Sequence, residues 1–162
     1  MLKLFILRHA QAAGSYDVDD YQRPLTLHGI EQAQSLAPSL SDINLCLCSS
    51  ALRTKMTLDS LQKNDATIGK TIFSDTLYNA PTGALLNAIQ QSGTAQSLLL
   101  IAHNPGIHQL ANMLASEEDS QDRNKLMYQY SPATLSVLEC PIDDWKNIQP
   151  AQNNLIELII PD

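Results

Sequence analysis

Three short apolar runs in this chain each stop abruptly at a group that is expensive to bury. Lys3-Leu4-Phe5-Ile6-Leu7 runs into Arg8-His9-Ala10. Leu45-Cys46-Leu47-Cys48 runs into Ser49-Ser50-Ala51-Leu52-Arg53-Thr54, and Leu98-Leu99-Leu100-Ile101-Ala102 into His103-Asn104-Pro105-Gly106. Short runs that are apolar throughout, without alternation, read as strands covered on both faces. A guanidinium or an imidazole must reach solvent or a partner, so each strand has to deliver its last residue to a surface or a site. In an open α/β sheet ligands bind outside the carboxyl ends of the strands. If these strands are parallel neighbours, Arg8, His9, Arg53 and His103 meet in one pocket.

The segments between the strands carry helical periodicity. Thr26 is an N-cap for a helix over about 27–37, with Ile30, Ala33 and Ala37 at i, i+3, i+7 and Pro38 to end it. Ser49 or Ser50 caps a second helix running to about Gln62. A short strand is expected over 71–73, and Thr82 caps a helix bearing Leu85, Leu86 and Ile89. Asn104 and Pro105 read as N-cap and N1 of a helix with Ile107, Leu110, Ala111 and Leu114 on one face. A polar acidic loop over 116–122 follows, and 133–140 and 155–160 read as a final antiparallel pair at one sheet edge. Strand and helix alternate through most of the 162 residues, so the expected class is α/β, a single domain over 1–162 with a mostly parallel central sheet.

The formal net charge of -7 opposes binding to nucleic acid or to an anionic membrane surface, both of which need a positive face. Against that background the strand-end arginines gain weight. Three cysteines make no disulfide framework. Cys46 and Cys48 share one face of their strand; metal ligation is open to them geometrically, but small apolar core residues fit better. The expected setting is reducing and cytoplasmic. The apolar part of the N-terminus is shorter than the roughly 7–15 residues of a signal-peptide core, so it reads as a first strand and not as an export signal.

Two arginines and two histidines at three strand ends describe an oxyanion site. Guanidinium forks match tetrahedral oxyanions and stay charged at working pH. Arg53 and His103 lie at or just before helix N-termini, where orphan N–H groups favour an anion. An imidazole with an ordinary pKa near ~6.5 is largely neutral at pH 7, so His9 is a candidate nucleophile toward phosphorus. His103 is better placed as a donor to a phosphoryl oxygen. The cations can neutralise charge that a metal handles elsewhere, and neither a metal nor a cofactor is called for. His28 and His108 read as ordinary helix residues.

Leu7-Arg8-His9-Ala10, the Ser49–Thr54 segment and Ala102-His103-Asn104-Pro105-Gly106 resemble the signature segments of the histidine phosphatase superfamily. Arg23-Pro24-Leu25-Thr26-Leu27-His28-Gly29 is similar to a further segment of the short SixA-type phosphohistidine phosphatases. The motifs occur in the family's order and span nearly the whole chain. The resemblance implies a three-layer, phosphoglycerate mutase-like sandwich without a large cap insertion. It implies a covalent phospho-His9 intermediate, with Arg8, Arg53 and His103 on the phosphoryl oxygens. Asn104 is a further candidate for substrate binding, and Arg23 is either an outer contact or a structural ion pair. The product would be inorganic phosphate.

Two features depart from the superfamily pattern. Ala10 stands where Gly is usual. Leu77-Tyr78-Asn79-Ala80 lacks the Glu that many members place two residues after Leu as proton donor to a leaving alcohol, and Asp75 is out of register with it. An alkoxide needs that proton; an imidazole, with a pKa around ~6.5, leaves far more easily. The gap therefore favours a phosphoramidate, and the resemblance implies that a phosphohistidine-bearing protein presents it, a phosphotransfer domain or a phosphotransferase-system protein. The acidic loop at Asp17 to Asp20 is either a partner contact or a solvated turn. The alternatives are a small-molecule phosphatase of the same superfamily and a catalytically idle module that binds phosphoproteins.

Overall fold

The computed structural model describes residues 1–162. Six strands form one sheet: β1 (Leu2–Arg8), β2 (Ile43–Ser49), β3 (Ile68–Ser74), β4 (Ser97–Ala102), β5 (Leu135–Cys140) and β6 (Asn154–Ile159). Their order is β3-β2-β4-β1-β5-β6. The first four are mutually parallel; β5 runs antiparallel to β1, and β6 antiparallel to β5 at the edge. Five helices complete the chain: α1 (Leu27–Leu36), α2 (Leu52–Gln62), α3 (Thr82–Gln90), α4 (Gly106–Leu114) and α5 (Gln121–Tyr128).

The fully apolar strands divide their side chains between two cores, as the two-residue strand period requires. Leu4, Ile6, Leu98 and Leu100 pack with Leu85, Ile89, Ile107 and Leu110 of α3 and α4. Phe5, Leu7, Leu99 and Ile101 pack with Ala33 and Leu36 of α1 and with Leu58 and Leu61 of α2. The result is the expected sandwich of helices, sheet and helices. Cys46 and Cys48 are free, buried members of the second core, and burial pushes the Cys48 thiol up to about 12.

Several boundaries differ from the sequence expectation. β3 is longer than 71–73, and its face pattern is largely exposed because it is the outer strand. The expected acidic loop over 116–122 gives way at Gln121 to α5, capped by Ser120, whose hydroxyl accepts from the Arg123 backbone N–H. That helix buries only Arg123 and Leu126, too few for periodicity to show. Thr26 caps α1 as expected, accepting from Gly29 N at 3.0 Å. The other expected caps do not form: Ala51, Pro81 and Pro105 occupy the N-cap positions of α2, α3 and α4. Ser49 and Asn104 are engaged elsewhere, in the cleft described next. No helix is long and apolar enough to cross a membrane.

Candidate active site

β1, β4 and β2 end side by side. Arg8 pairs in register with Ala102, and Cys48 with Ile101. This alignment brings His9, His103, Ser49 and the first turn of α2 together, with the His9 and His103 ring centroids 5.2 Å apart. Arg8, His9, Arg53, His103, Asn104 and Arg23 all line one cleft of about 380 Å³, together with Gln11, Ala12, Asp20, Asn79 and Pro132. All six residues singled out from the sequence therefore share one cavity.

The His9 ring is held in a defined tautomer. Nδ1 lies 2.7 Å from the Ala10 carbonyl oxygen, which can only accept, so Nδ1 carries the proton and Nε2 the lone pair. Arg53 Nε donates to that Nε2 at 3.3 Å. Burial lowers the His9 pKa to about 4, with Arg53 and Arg8 adding to the effect, so the ring is neutral at pH 7. Burial, the His9 ring and Arg53 lower His103 further, to about 3. Its Nε2 lies 2.7 Å from Ser49 Oγ, which is why that hydroxyl does not cap α2.

Arg8 Nη1 and Asn104 Nδ2 each donate to the Tyr130 carbonyl at 2.9 Å. The Tyr130 hydroxyl is in turn 2.7 Å from the Ile6 carbonyl and 2.8 Å from Ser136 Oγ, locking it to β1 and β5. Thr57 ties α2 to the residue after His9: its Oγ1 accepts from Ala10 N at 3.1 Å and donates to the Arg53 carbonyl at 2.8 Å. Arg23 is in an ion pair: its Nη2 and Nε both reach Asp20 Oδ1 at 3.0 Å. Asp20 also receives Arg53 and the Tyr78 hydroxyl, and the Tyr78 hydroxyl and both guanidinium groups hold its carboxyl well below the usual range.

Four buried side-chain polar atoms in the whole molecule lack a hydrogen-bond partner, and three of them belong to these residues: Arg8 Nε, His103 Nδ1 and Asn104 Oδ1. Buried polar atoms are normally paired, so this concentration marks a place where a polar ligand completes the bonding. Three guanidinium groups against one carboxylate favour an anion there, with Arg8 Nε–H free to donate to it. A neutral imidazole with a directed lone pair, in a cluster of fixed cations, can attack an electrophilic centre that carries negative oxygens.

Sequence reasoning missed Asp20 as an arginine partner, Ser49 and Thr57 as supports, and Tyr78 and Tyr130. Asp20 at three residues before Arg23 was the available signal. Asn79, at the position of the absent acid, lines the cleft with a left-handed backbone (φ 47°). Asp75 accepts from the Tyr21 hydroxyl at 2.7 Å, at an exposed site outside the cleft lining. No group of three or more His, Cys, Asp or Glu side chains is arranged to hold a metal ion.

The fold is similar to that of solved members of the histidine phosphatase superfamily, SixA-type phosphohistidine phosphatases among them. A provisionally assigned SixA phosphohistidine phosphatase from Nakamurella multipartitia superposes with a TM-score of 0.85 at 24% identity, over 99% of this chain and 96% of that one. Its provisionally assigned counterpart from Agrobacterium tumefaciens gives 0.79 at 26% identity, over 99% and 98%. A protein histidine phosphatase SixA complexed with tungstate gives 0.76 at 20% identity, over 99% and 97%. An uncharacterised protein of Mycobacterium tuberculosis is 26% identical over 162 residues, 96% of this chain and 99% of its own length. No protein-family model matches the chain.

Proposed function

We propose that this protein is a protein phosphohistidine phosphatase that works through a phospho-His9 intermediate. The observation that carries the reading is the His9 ring: neutral, fixed with its lone pair on Nε2, and surrounded by Arg8, Arg53 and His103. In the first step Nε2 attacks phosphorus and the bond to the leaving imidazole nitrogen breaks. The departing ring keeps the electron pair and takes a proton from solvent water in the open cleft. Arg8, Arg53 and His103 donate to the three phosphoryl oxygens as charge moves across them. Water then attacks phosphorus, the bond to Nε2 breaks, and inorganic phosphate leaves. Arg23 and Asn104 are outer contacts to the same group.

The approach of a phosphoryl oxygen gives Arg53 Nε–H a better acceptor than the imidazole lone pair. The same step frees that lone pair for attack. The guanidinium groups supply positive charge at the oxygens, so the reading expects turnover without a metal. Asn79 cannot donate a proton as a carboxylic acid would, which favours a phosphoramidate over an alkyl phosphate. The likeness to SixA structures supports the substrate class, and one of those structures is complexed with the oxyanion tungstate. The substrate would be a phosphotransfer domain or a phosphotransferase-system protein in the cytoplasm.

Phosphate release from a phosphohistidine-bearing phosphotransfer protein, in EDTA, tests this reading against an alkyl phosphate under the same conditions. Fast release from the protein substrate with the alkyl phosphate nearly inert is the expected outcome. Comparable rates on both would transfer the assignment to a small-molecule phosphatase. Tight binding without turnover of either would make the protein a phosphoprotein-binding module.

A further inference from the structure

Asp20 occupies donors that a phosphoryl group needs. Arg53 gives Nη2 to Asp20 Oδ2 at 3.1 Å and Nη1 to the Asp20 backbone oxygen at 2.7 Å. Its Nε–H points at His9, which leaves one further N–H on each Nη. Arg23 gives Nε and Nη2 to Asp20 Oδ1, and the Tyr78 hydroxyl donates to Oδ2. One carboxylate thus engages two of the three arginines in the cleft. Its side chain is 46% exposed, on a single 3-10 turn (Asp20–Gln22) with no buried residue. It can therefore move without unpacking a core. A carboxylate and a phosphoryl group offer a guanidinium the same kind of paired oxygen acceptors, and they cannot both take the same N–H groups.

We propose that Asp20 is an internal anion that competes with the phosphoryl group for Arg53 and Arg23. Substrate binding displaces it, and its return helps to expel product phosphate. The proposal rests on the reading of the cleft as a phosphoryl site. It makes Asp20 a determinant of anion affinity and product release, acting through the arginines. If binding requires displacement, the apparent affinity of every anion is reduced by the same factor, the fraction of molecules with Asp20 moved aside. A fixed carboxylate that only repels behaves differently, because its effect scales with ligand charge. A carboxylate whose main role is to hold Arg53 in place behaves oppositely, since its loss would weaken binding.

Methylphosphonate and methanesulfonate separate these cases, being alike in shape but a dianion and a monoanion at mildly alkaline pH. Their affinities would be measured by calorimetry for wild type, Asp20→Asn and Tyr78→Phe. Asp20→Asn is expected to tighten both anions by the same factor, about tenfold, as befits the loss of charge-assisted hydrogen bonds. The inhibition constant of inorganic phosphate should fall by that factor too. Tyr78→Phe keeps the ring against Arg53 and His103 and removes only the hydroxyl, so it should give a smaller gain, again equal for both anions. If Asp20→Asn does not fold, the Tyr78→Phe pattern decides alone. Unchanged or weakened binding overturns the proposal, as does a gain for the dianion near the square of that for the monoanion. Failure of both anions to bind any of the proteins would instead overturn the phosphoryl-site reading itself.

Discussion

At the scale of single residues, environment sets what the two cleft histidines can do. His9 and His103 sit in a buried, cation-rich pocket that lowers their pKa values to about 4 and 3. Protonation of His9 removes the lone pair needed for attack. The rate above spontaneous hydrolysis should therefore stay level as pH falls through ~6.5, where an ordinary histidine titrates, and decline only near pH 4. A pH–rate profile with its acid limb centred near ~6.5 would contradict this environment for His9. Tyr130 supports the cleft through its backbone carbonyl, which its buried hydroxyl holds in place. Tyr130→Phe should cost about 1–3 kcal/mol in denaturant unfolding and lower kcat by loosening Arg8 and Asn104. Arg8, His9, Arg53 and His103 were legible in the sequence because costly groups closing apolar strands are unusual. The Tyr130 support was not legible, since the atom that does the holding belongs to the backbone. Nor was the Asp20–Arg53 pair, whose members stand thirty-three positions apart.

At the scale of elements, the helix starts are shaped by what they abut. Gly29 opens α1 where a Cβ would stand 2.1 Å from the Gln11 carbonyl oxygen, and Gly106 opens α4 where it would stand 2.2 Å from that of Ala80. The chain segments they meet follow His9 and Asn79, so both contacts position cleft-lining loops. Gly29→Ala and Gly106→Ala should each destabilise by about 1–3 kcal/mol and reduce turnover. Gly83, in α3, has nothing within 4 Å of its Cβ position. Gly83→Ala should stabilise by roughly 0.5–1 kcal/mol through helix propensity alone, with activity unchanged. Thermal melts and rates on the three variants check this contrast. Sequence periodicity found every element with a rich apolar face and missed α5, which has only Leu126 and the Arg123 stem to bury. Its cap assignments failed at Ser49 and Asn104 because local rules cannot anticipate that a side chain will turn to His103 or to Tyr130.

At the scale of the whole molecule, an acidic protein places three of its four arginines in one cleft beside two buried histidines, and that choice affects stability as well as chemistry. Both buried histidines titrate below their unfolded value of ~6.5. Between that value and about 4 to 3 the unfolded chain binds more protons than the folded one. Stability should therefore rise with pH across this window and be lost as pH falls through it. His103→Asn should flatten the acid side of a Tm-versus-pH curve; an unchanged slope would mean that His103 is not held neutral. The α/β class was readable from the alternation of strand and helix and the antiparallel edge from the two closing strands, while the three-layer sandwich was an expectation from the family resemblance. The strand order, with β4 inserted between β2 and β1, was not, because it depends on long-range pairing. It is this order that sets His9 beside His103.

The most direct test is a rapid-quench reaction with a phosphotransfer protein radiolabelled on its phosphohistidine, followed by peptide mapping of this protein. Label that appears transiently on His9, is stable to base and labile to acid, and is absent from His9→Ala along with phosphate release is the predicted result. Phosphate release by His9→Ala at the wild-type rate, with no label on His9, would contradict the account.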